Sequence, residues 1–248
     1  MKINIVSSDE RYKIVSEMLS AKGYKVRLCS PSDAEGGDVL LLSVRSELAT
    51  NELVNILTKI NKETVVLCGG DNRIRGLFCG KIIDYSGDVD FLQKNAILTA
   101  EATVSFLHSI TKDSLCGKKI FVSGYGKIGR HICAVLKVLG ADVTAYARRE
   151  PVCVQMKEDG INFAQMNECT NANMIINTVP SHIFTNELID FIPQSTLIVD
   201  LASPPYGFES MDRVIIASGL PGKILPVGAA QAVYDTVCSI ISRIESGA

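Results

Sequence analysis

The chain has 248 residues, 47% of them hydrophobic, and a net charge of -2 at pH 7. Such a length fits two small domains, or one with additions, and such a composition excludes a disordered chain. The near-neutral balance gives no electrostatic case for nucleic acid or a membrane surface, and no apolar run approaches the roughly 20 residues of a membrane helix.

Met1 to Val6 is too short, and too soon followed by Ser7-Ser8-Asp9-Glu10-Arg11, to read as a signal peptide. It predicts a first strand. A helix is expected from about Glu10 to Lys22, with Ile14, Val15, Met18 and Leu19 on its apolar face and Gly23 as its stop. Strands follow at Tyr24 to Leu28 and Asp38 to Val44, then a helix from about Asn51 to Ile60 and a strand from Thr64 to Cys68. Gly69-Gly70-Asp71-Asn72 signals a loop, and Ile82 to Tyr85 an edge strand. This alternation predicts a small parallel sheet. After the first strand there is no glycine turn, so this part is not expected to hold a dinucleotide. Arg11 and the start of its helix offer donors to an anion, although a plain surface arginine fits the spacing equally well.

Asn95 to Ile110 is read as a helix with Thr99 as its N-cap and Glu101 in the first turn. Lys118 to Arg149 then reads strand, glycine turn, helix, strand. Ile120-Phe121-Val122 enters Gly124-Tyr125-Gly126-Lys127-Ile128-Gly129, and a helix with Ile132, Val135, Leu136 and Leu139 ends at Gly140. A bare GxGxxG is weak, but inside a βαβ unit it is the fingerprint of a pyrophosphate-binding turn. At the end of the second strand, where NAD-binding versions place an acid, stands Ala147, followed by Arg148 and Arg149. Two guanidiniums in place of an acid favour the 2′-phosphate of NADP over NAD.

Past Arg149, a helix (about Val152 to Asp159) and a short strand (Asn162 to Ala164) are expected. Buried strands follow at Asn173 to Thr178, Thr196 to Leu201 and Arg213 to Ala217, with a helix at 185–191 and a last helix from about Ala229 to Ile244. Three further loops converge on the glycine turn at the carboxyl ends of these strands. They carry Asn177, Thr178, Val179 and Pro180; Asp200, Leu201 and Ala202; and Gly219, Leu220 and Pro221. Asn177-Thr178-x-Pro180 reads equally well as a mere strand-ending turn. The eight cysteines stand singly, with no CxxC and no zinc spacing, which suits a reducing cytoplasm. No nucleophile–base pair stands out. His108 and His131 are isolated, and His182 is the one histidine placed near the converging loops.

The predicted architecture is α/β in two domains. Residues 1–95 form a substrate-side parallel domain, 96–114 a connecting helix, 115–226 a Rossmann-type doubly wound domain, and 227–248 a C-terminal helix.

Several motifs in this order resemble the family of dipicolinate synthase A subunits of spore-forming bacteria. They are Asp9-Glu10-Arg11, Asn95-x-Ile97-x-Thr99-x-Glu101-x-Thr103, the glycine turn, Ala147-Arg148, Ile176-Asn177-Thr178-x-Pro180-Ser181, Asp200-Leu201-Ala202-Ser203 and Gly219-Leu220-Pro221-Gly222. Ser7-Ser8 depart from the glycines the family pattern would place there. The resemblance implies NADP-linked dehydrogenation of a dihydrodipicolinate-type ring to dipicolinate in the mother cell of a sporulating bacterium. The partner it implies is the flavoprotein-like B subunit of dipicolinate synthase, with a homo-oligomer left open. Under it, Arg11, Arg45 and Thr99 are candidates for the substrate carboxylates, and Glu101 or His182 for the departing proton. Two rival readings stay open: another two-domain dehydrogenase of 2-hydroxyacid type, and a non-catalytic NADP-binding subunit. The first would call for an Arg after Asp200 and a late Glu–His pair, where this chain has Ala202-Ser203-Pro204-Pro205 and no His beyond His182.

Overall fold

The computed structural model describes residues 1–44 and 48–246. The chain divides into two compact units. One comprises Met1–Asn95 together with Leu225–Ala248, and the other Ala96–Ile224.

The first unit holds five parallel strands: β1 (Lys2–Val6), β2 (Lys25–Cys29), β3 (Val39–Val44), β4 (Val65–Gly69) and β5 (Ile82–Asp84). Their order is β2-β1-β3-β4-β5. α1 (Glu10–Ala21) buries Tyr12, Val15 and Leu19, a helical spacing that adds Tyr12 to the expected apolar face. α2 (Thr50–Lys59) buries Leu53, Ile56 and Leu57 onto a core with Leu40, Leu42 and Val66. The apolar strands β1, β3 and β4 are buried on both faces, as inner parallel strands are, while the edge strands β2 and β5 are partly exposed.

α3 (Val89–Thr111) runs from the first unit into the second. It begins six residues before the expected Asn95. The Asp88 carboxylate accepts the Asp90 and Phe91 amides at 3.0 and 3.2 Å, so the cap lies there. Thr99 is therefore not an N-cap. It sits mid-helix and buried, and its carbonyl accepts the Thr103 hydroxyl at 2.7 Å.

The second unit has β6 (Lys119–Ser123), α4 (Lys127–Val138), β7 (Asp142–Tyr146), α5 (Glu150–Glu158), β8 (Asn162–Phe163), β9 (Met174–Asn177), α6 (Asn186–Phe191), β10 (Leu197–Asp200), β11 (Val214–Ile216) and α7 (Leu220–Ile224). The sheet order is β11-β10-β9-β6-β7-β8, all parallel. Counted from β6, this is the 3-2-1-4-5-6 order of dinucleotide-binding sheets, with its switch point between β6 and β9. Phe121, Ile175 and Ile198 form the core under the sheet, beside Phe184 and Phe208, whose rings stack at 4.2 Å. The expected Gly219–Gly222 loop is instead the start of α7, with Pro221 in its first turn, where a missing N–H costs nothing.

α8 (Pro226–Glu245) returns to the first unit. Its Ala230, Val233, Val237 and Ile241 are buried, and the helix packs along α1.

Candidate dinucleotide site

The site is built at the β6–α4 turn. Gly124 has φ +92°, a left-handed conformation that favours glycine, and its N–H donates to the Tyr146 carbonyl at 2.9 Å. A Cβ on Gly129 would stand inside contact distance of the Gly124 carbonyl oxygen and 3.0 Å from its carbon. α4 thus meets the turn backbone to backbone.

Gly126 is the N-cap of α4 and offers no side-chain cap. The first helical hydrogen bond is Arg130 N–H to Gly126 O, at 2.9 Å. The amides of Lys127, Ile128 and Gly129 therefore lie in the uncapped first turn, with no acid among them. A Cβ on Gly126 would meet nothing within 4 Å. Open space above an uncapped helix start is what a pyrophosphate requires, so these residues fit a dinucleotide.

A cavity of about 430 Å³ opens on this turn. Among its walls are Tyr125, Ala147, Arg148, Arg149, Val179 and Ile183. The structure thus brings together the glycine turn, the end of β7 and the loop after β9. Arg148 and Arg149 are exposed. Among the described residues, neither has an ion pair or hydrogen bond through its guanidinium. The Tyr125 hydroxyl donates to Asp159 at 2.8 Å, which ties the turn to the end of α5. Burial, then this bond to Asp159, push the Tyr125 phenol well above its ordinary value. Burial raises the Asp159 carboxyl, but hydrogen bonds from Tyr125 and Arg130 outweigh it and hold the group below the usual range.

The loops after β9 and β10 work differently from expectation. Asn177 and Asp200 are fully buried. The Asn177 amide donates to Asp200 Oδ1 at 2.9 Å and to the Val179 carbonyl at 3.0 Å. Its Oδ1 accepts the Ser123 hydroxyl at 2.7 Å and the Val179 amide at 3.0 Å. Asp200 also accepts the Ala202 and Gly207 amides, each at 2.8 Å. Both side chains are spent inside the protein, and this corrects their expected place among the cofactor-binding residues. The Leu201 amide is bonded to the Asn177 carbonyl at 2.9 Å, so it and the Ala202 amide are spent as well. Thr178 donates to the Ser123 carbonyl at 2.9 Å and braces the glycine turn. Leu220 and Pro221 are buried, so their side chains face the core rather than a ligand, while Gly219, at φ +71°, turns the chain into α7. Pro180 is exposed at the tip of its loop. Sequence reasoning missed Tyr146, Val152 and Ile183 as cavity walls. The signal for the first was its place at the end of β7.

His182 is exposed, and its Nε2 lies 3.0 Å from the Pro205 carbonyl. A carbonyl only accepts, so Nε2 carries a proton in this contact and Nδ1 is the ring nitrogen left outside it. Glu101 is exposed on α3. Arg11 is engaged with the N-cap of α1: its Nε donates to Asp9 Oδ1 and Oδ2 at 3.0 and 2.9 Å. Burial pushes the Asp9 carboxyl up, and Arg11 more than reverses this. Arg45 lies outside the described residues. All eight cysteines are free. Burial pushes the thiols of Cys133 to about 12 and of Cys169 to about 11, which removes them as nucleophiles. Among the described residues no His/Cys/Asp/Glu cluster suits a metal, and no helix is long and apolar enough to cross a membrane.

Residues 94–200 match the family model of the D-isomer specific 2-hydroxyacid dehydrogenase NAD-binding domain. Fold, site and this match thus support two α/β units, the second of them a nicotinamide-dinucleotide-binding domain like those of dehydrogenases. Within that class the chain is similar to the A subunit of dipicolinate synthase. It is 28% identical to that protein of Bacillus subtilis (strain 168) over 162 residues, 61% of this chain and 54% of the relative. The aligned chain thus spans about half the length of the curated relative. The crystal structure of dipicolinate synthase, A chain, from Bacillus subtilis superposes with a TM-score of 0.82 at 21% identity, covering 100% of this chain and 98% of that one. The apo-structure of D-lactate dehydrogenase from Escherichia coli gives a TM-score of 0.67 at 14% identity, covering 100% and 98%. At these identities the superpositions speak for the fold.

Proposed function

We propose that the chain is an NADP-dependent dehydrogenase subunit of dipicolinate synthase type. The observation that carries the NADP part is the end of β7. There Ala147 stands where an acid would hold a ribose hydroxyl, and Arg148 and Arg149 line the cavity with uncommitted guanidiniums. The substrate proposed is a dihydrodipicolinate-type ring dicarboxylate, which becomes aromatic on losing one hydrogen as hydride to the bound nicotinamide and one as a proton. The N-terminal amides of α4 hold the pyrophosphate, and Thr178 and Tyr125 keep the glycine turn in shape. His182 offers Nδ1 to the departing proton, with Glu101 as the other candidate. Arg11 and Arg45 remain candidates for the carboxylates. The same proposal includes the flavoprotein-like B subunit of dipicolinate synthase as partner, a homo-oligomer, and a cytoplasmic setting in a sporulating mother cell.

Two measurements test it. NADPH should raise the thermal midpoint more than NADH at equal concentration. The double variant Arg148→Ala/Arg149→Ala should lose about 10- to 100-fold of NADPH affinity, the worth of charge-assisted bonds to a phosphate, while NADH binding holds. A larger shift with NADH sinks the NADP assignment. Turnover is read at the reduced nicotinamide absorbance band, with the chain alone and with its partner. The cavity walls carry neither a carboxylate nor an imidazole, which favours a second reading: a non-catalytic NADP-binding subunit. Absence of turnover in both assays would select it.

A further inference from the structure

Asp159, the C-cap of α5, gathers donors from the glycine turn, from α4 and from α5 itself. Its Oδ2 accepts the Tyr125 hydroxyl at 2.8 Å and lies 2.8 Å from Arg130 Nε. Its Oδ1 accepts Arg130 Nη2 at 2.9 Å and Gln155 Nε2 at 3.2 Å. A carboxylate has about four lone-pair sites, so these donors fill it. Arg130 forks onto both oxygens, the geometry in which a charge-assisted pair is most directional. Arg130 is half exposed, and such a pair alone stabilises little. Tyr125 is different. It is 7% exposed, and a buried hydroxyl left without its acceptor is costly.

The sheet alone does not fix the two arginines of the cavity. The β6–β7 ladder ends at Ser123 and Tyr146, and the bond from the Gly124 N–H to the Tyr146 carbonyl carries it no further along β7. Arg148 and Arg149 lie past that point, and Arg149 is the N-cap of α5. Their direction depends on where α5 lies. Its nine residues make a strut of roughly 14 Å. Asp159 pins the far end of that strut to the glycine turn and to the first turns of α4. Lys137 adds a second tie, its Nζ donating to the Gly160 carbonyl at 2.7 Å. The cavity walls include Tyr125, Arg148, Arg149 and Val152 but not Asp159, which acts through the residues it holds.

We infer that Asp159 is a positioning residue for the dinucleotide: by clamping α5 to Tyr125 and Arg130, it sets the span between the pyrophosphate turn and the Arg148–Arg149 end of the cavity. The inference rests on the NADP reading for the ligand, and on the contacts of the second unit for the clamp.

The test is calorimetric titration of the full chain with NADPH, which spans both ends, and with adenosine 2′-phosphate, which reaches only the arginine end. Asp159→Asn should weaken NADPH binding about tenfold or more and change adenosine 2′-phosphate binding by no more than about twofold. Tyr125→Phe, which keeps the ring and removes the donor, should also weaken NADPH binding, and the double variant should be no worse than Asp159→Asn alone. Hydrogen exchange of the ligand-free chain is the second readout: residues 124–130 and 148–153 should exchange faster in both variants than in wild type. Unchanged NADPH affinity in Asp159→Asn overturns the inference. So does an equal loss for both ligands, which would mean that the arginine end itself is deformed. A wild type that binds neither ligand overturns the NADP reading instead, and the exchange pattern then decides the clamp by itself: faster exchange in the variants supports it, and unchanged exchange overturns it.

Discussion

A Gly129→Ala variant is expected to lose dinucleotide binding and about 3 kcal/mol or more of stability. The new methyl would stand inside contact distance of the Gly124 carbonyl oxygen, 3.0 Å from its carbon, and 3.4 Å from the Thr178 hydroxyl. Two of these neighbours are backbone atoms, so α4 would have to shift away from the turn, and forced core insertions of this kind cost about 1–3 kcal/mol or more. Gly126→Ala is the control, because its methyl meets nothing within 4 Å. That variant should melt like wild type yet bind NADPH at least about tenfold more weakly, since the methyl occupies the ligand's space. Thermal melts with and without NADPH check both. Full binding by Gly129→Ala would show that the helix does not need to approach the turn so closely.

Asp200→Ala is expected to cost about 3–5 kcal/mol, because it strips a fully buried acceptor from three donors at once. The Asn177 amide and the Ala202 and Gly207 N–H groups would be left without their partner. A fall in thermal midpoint of roughly 10 °C or more should follow. Dinucleotide binding should weaken with it, since Asn177 also holds Val179, a wall of the cavity. A melting temperature within a degree or two of wild type would mean that the carboxylate is not what closes the loop from Ala202 to Gly207.

The dinucleotide unit was legible because its information is local. The turn from Gly124 to Gly129, the amphipathic α4 and the apolar β9 and β10 are each visible within a dozen residues. Ala147-Arg148-Arg149 was legible in the same way and does line the cavity. What failed depended on partners distant in sequence. Asn177 and Asp200 looked like cofactor-binding residues at the ends of strands. Only the β9–β10 pairing, which sets Asn177 beside Asp200, shows that they satisfy one another. Leu220 and Pro221 looked like loop residues because Gly219 and Gly222 flank them, yet burial draws them into α7. Thr99 followed the strongest cap-like residue in its stretch, while Asp88 had already begun the helix well upstream. Arg11 was a different case. Its partner Asp9 is two residues away and was in plain view, but a capping carboxylate that also grips the guanidinium is a three-dimensional fact.

The return of α8 to the first unit bears on how the molecule assembles. The second unit is one unbroken stretch, Ala96–Ile224, whereas the first is closed only by Leu225 onward. On a ribosome, the second unit is therefore complete first. The N-terminal sheet, although made earlier, waits with the α1 face uncovered until α8 emerges. During that interval the surface that α8 will cover is open to solvent and to neighbouring chains.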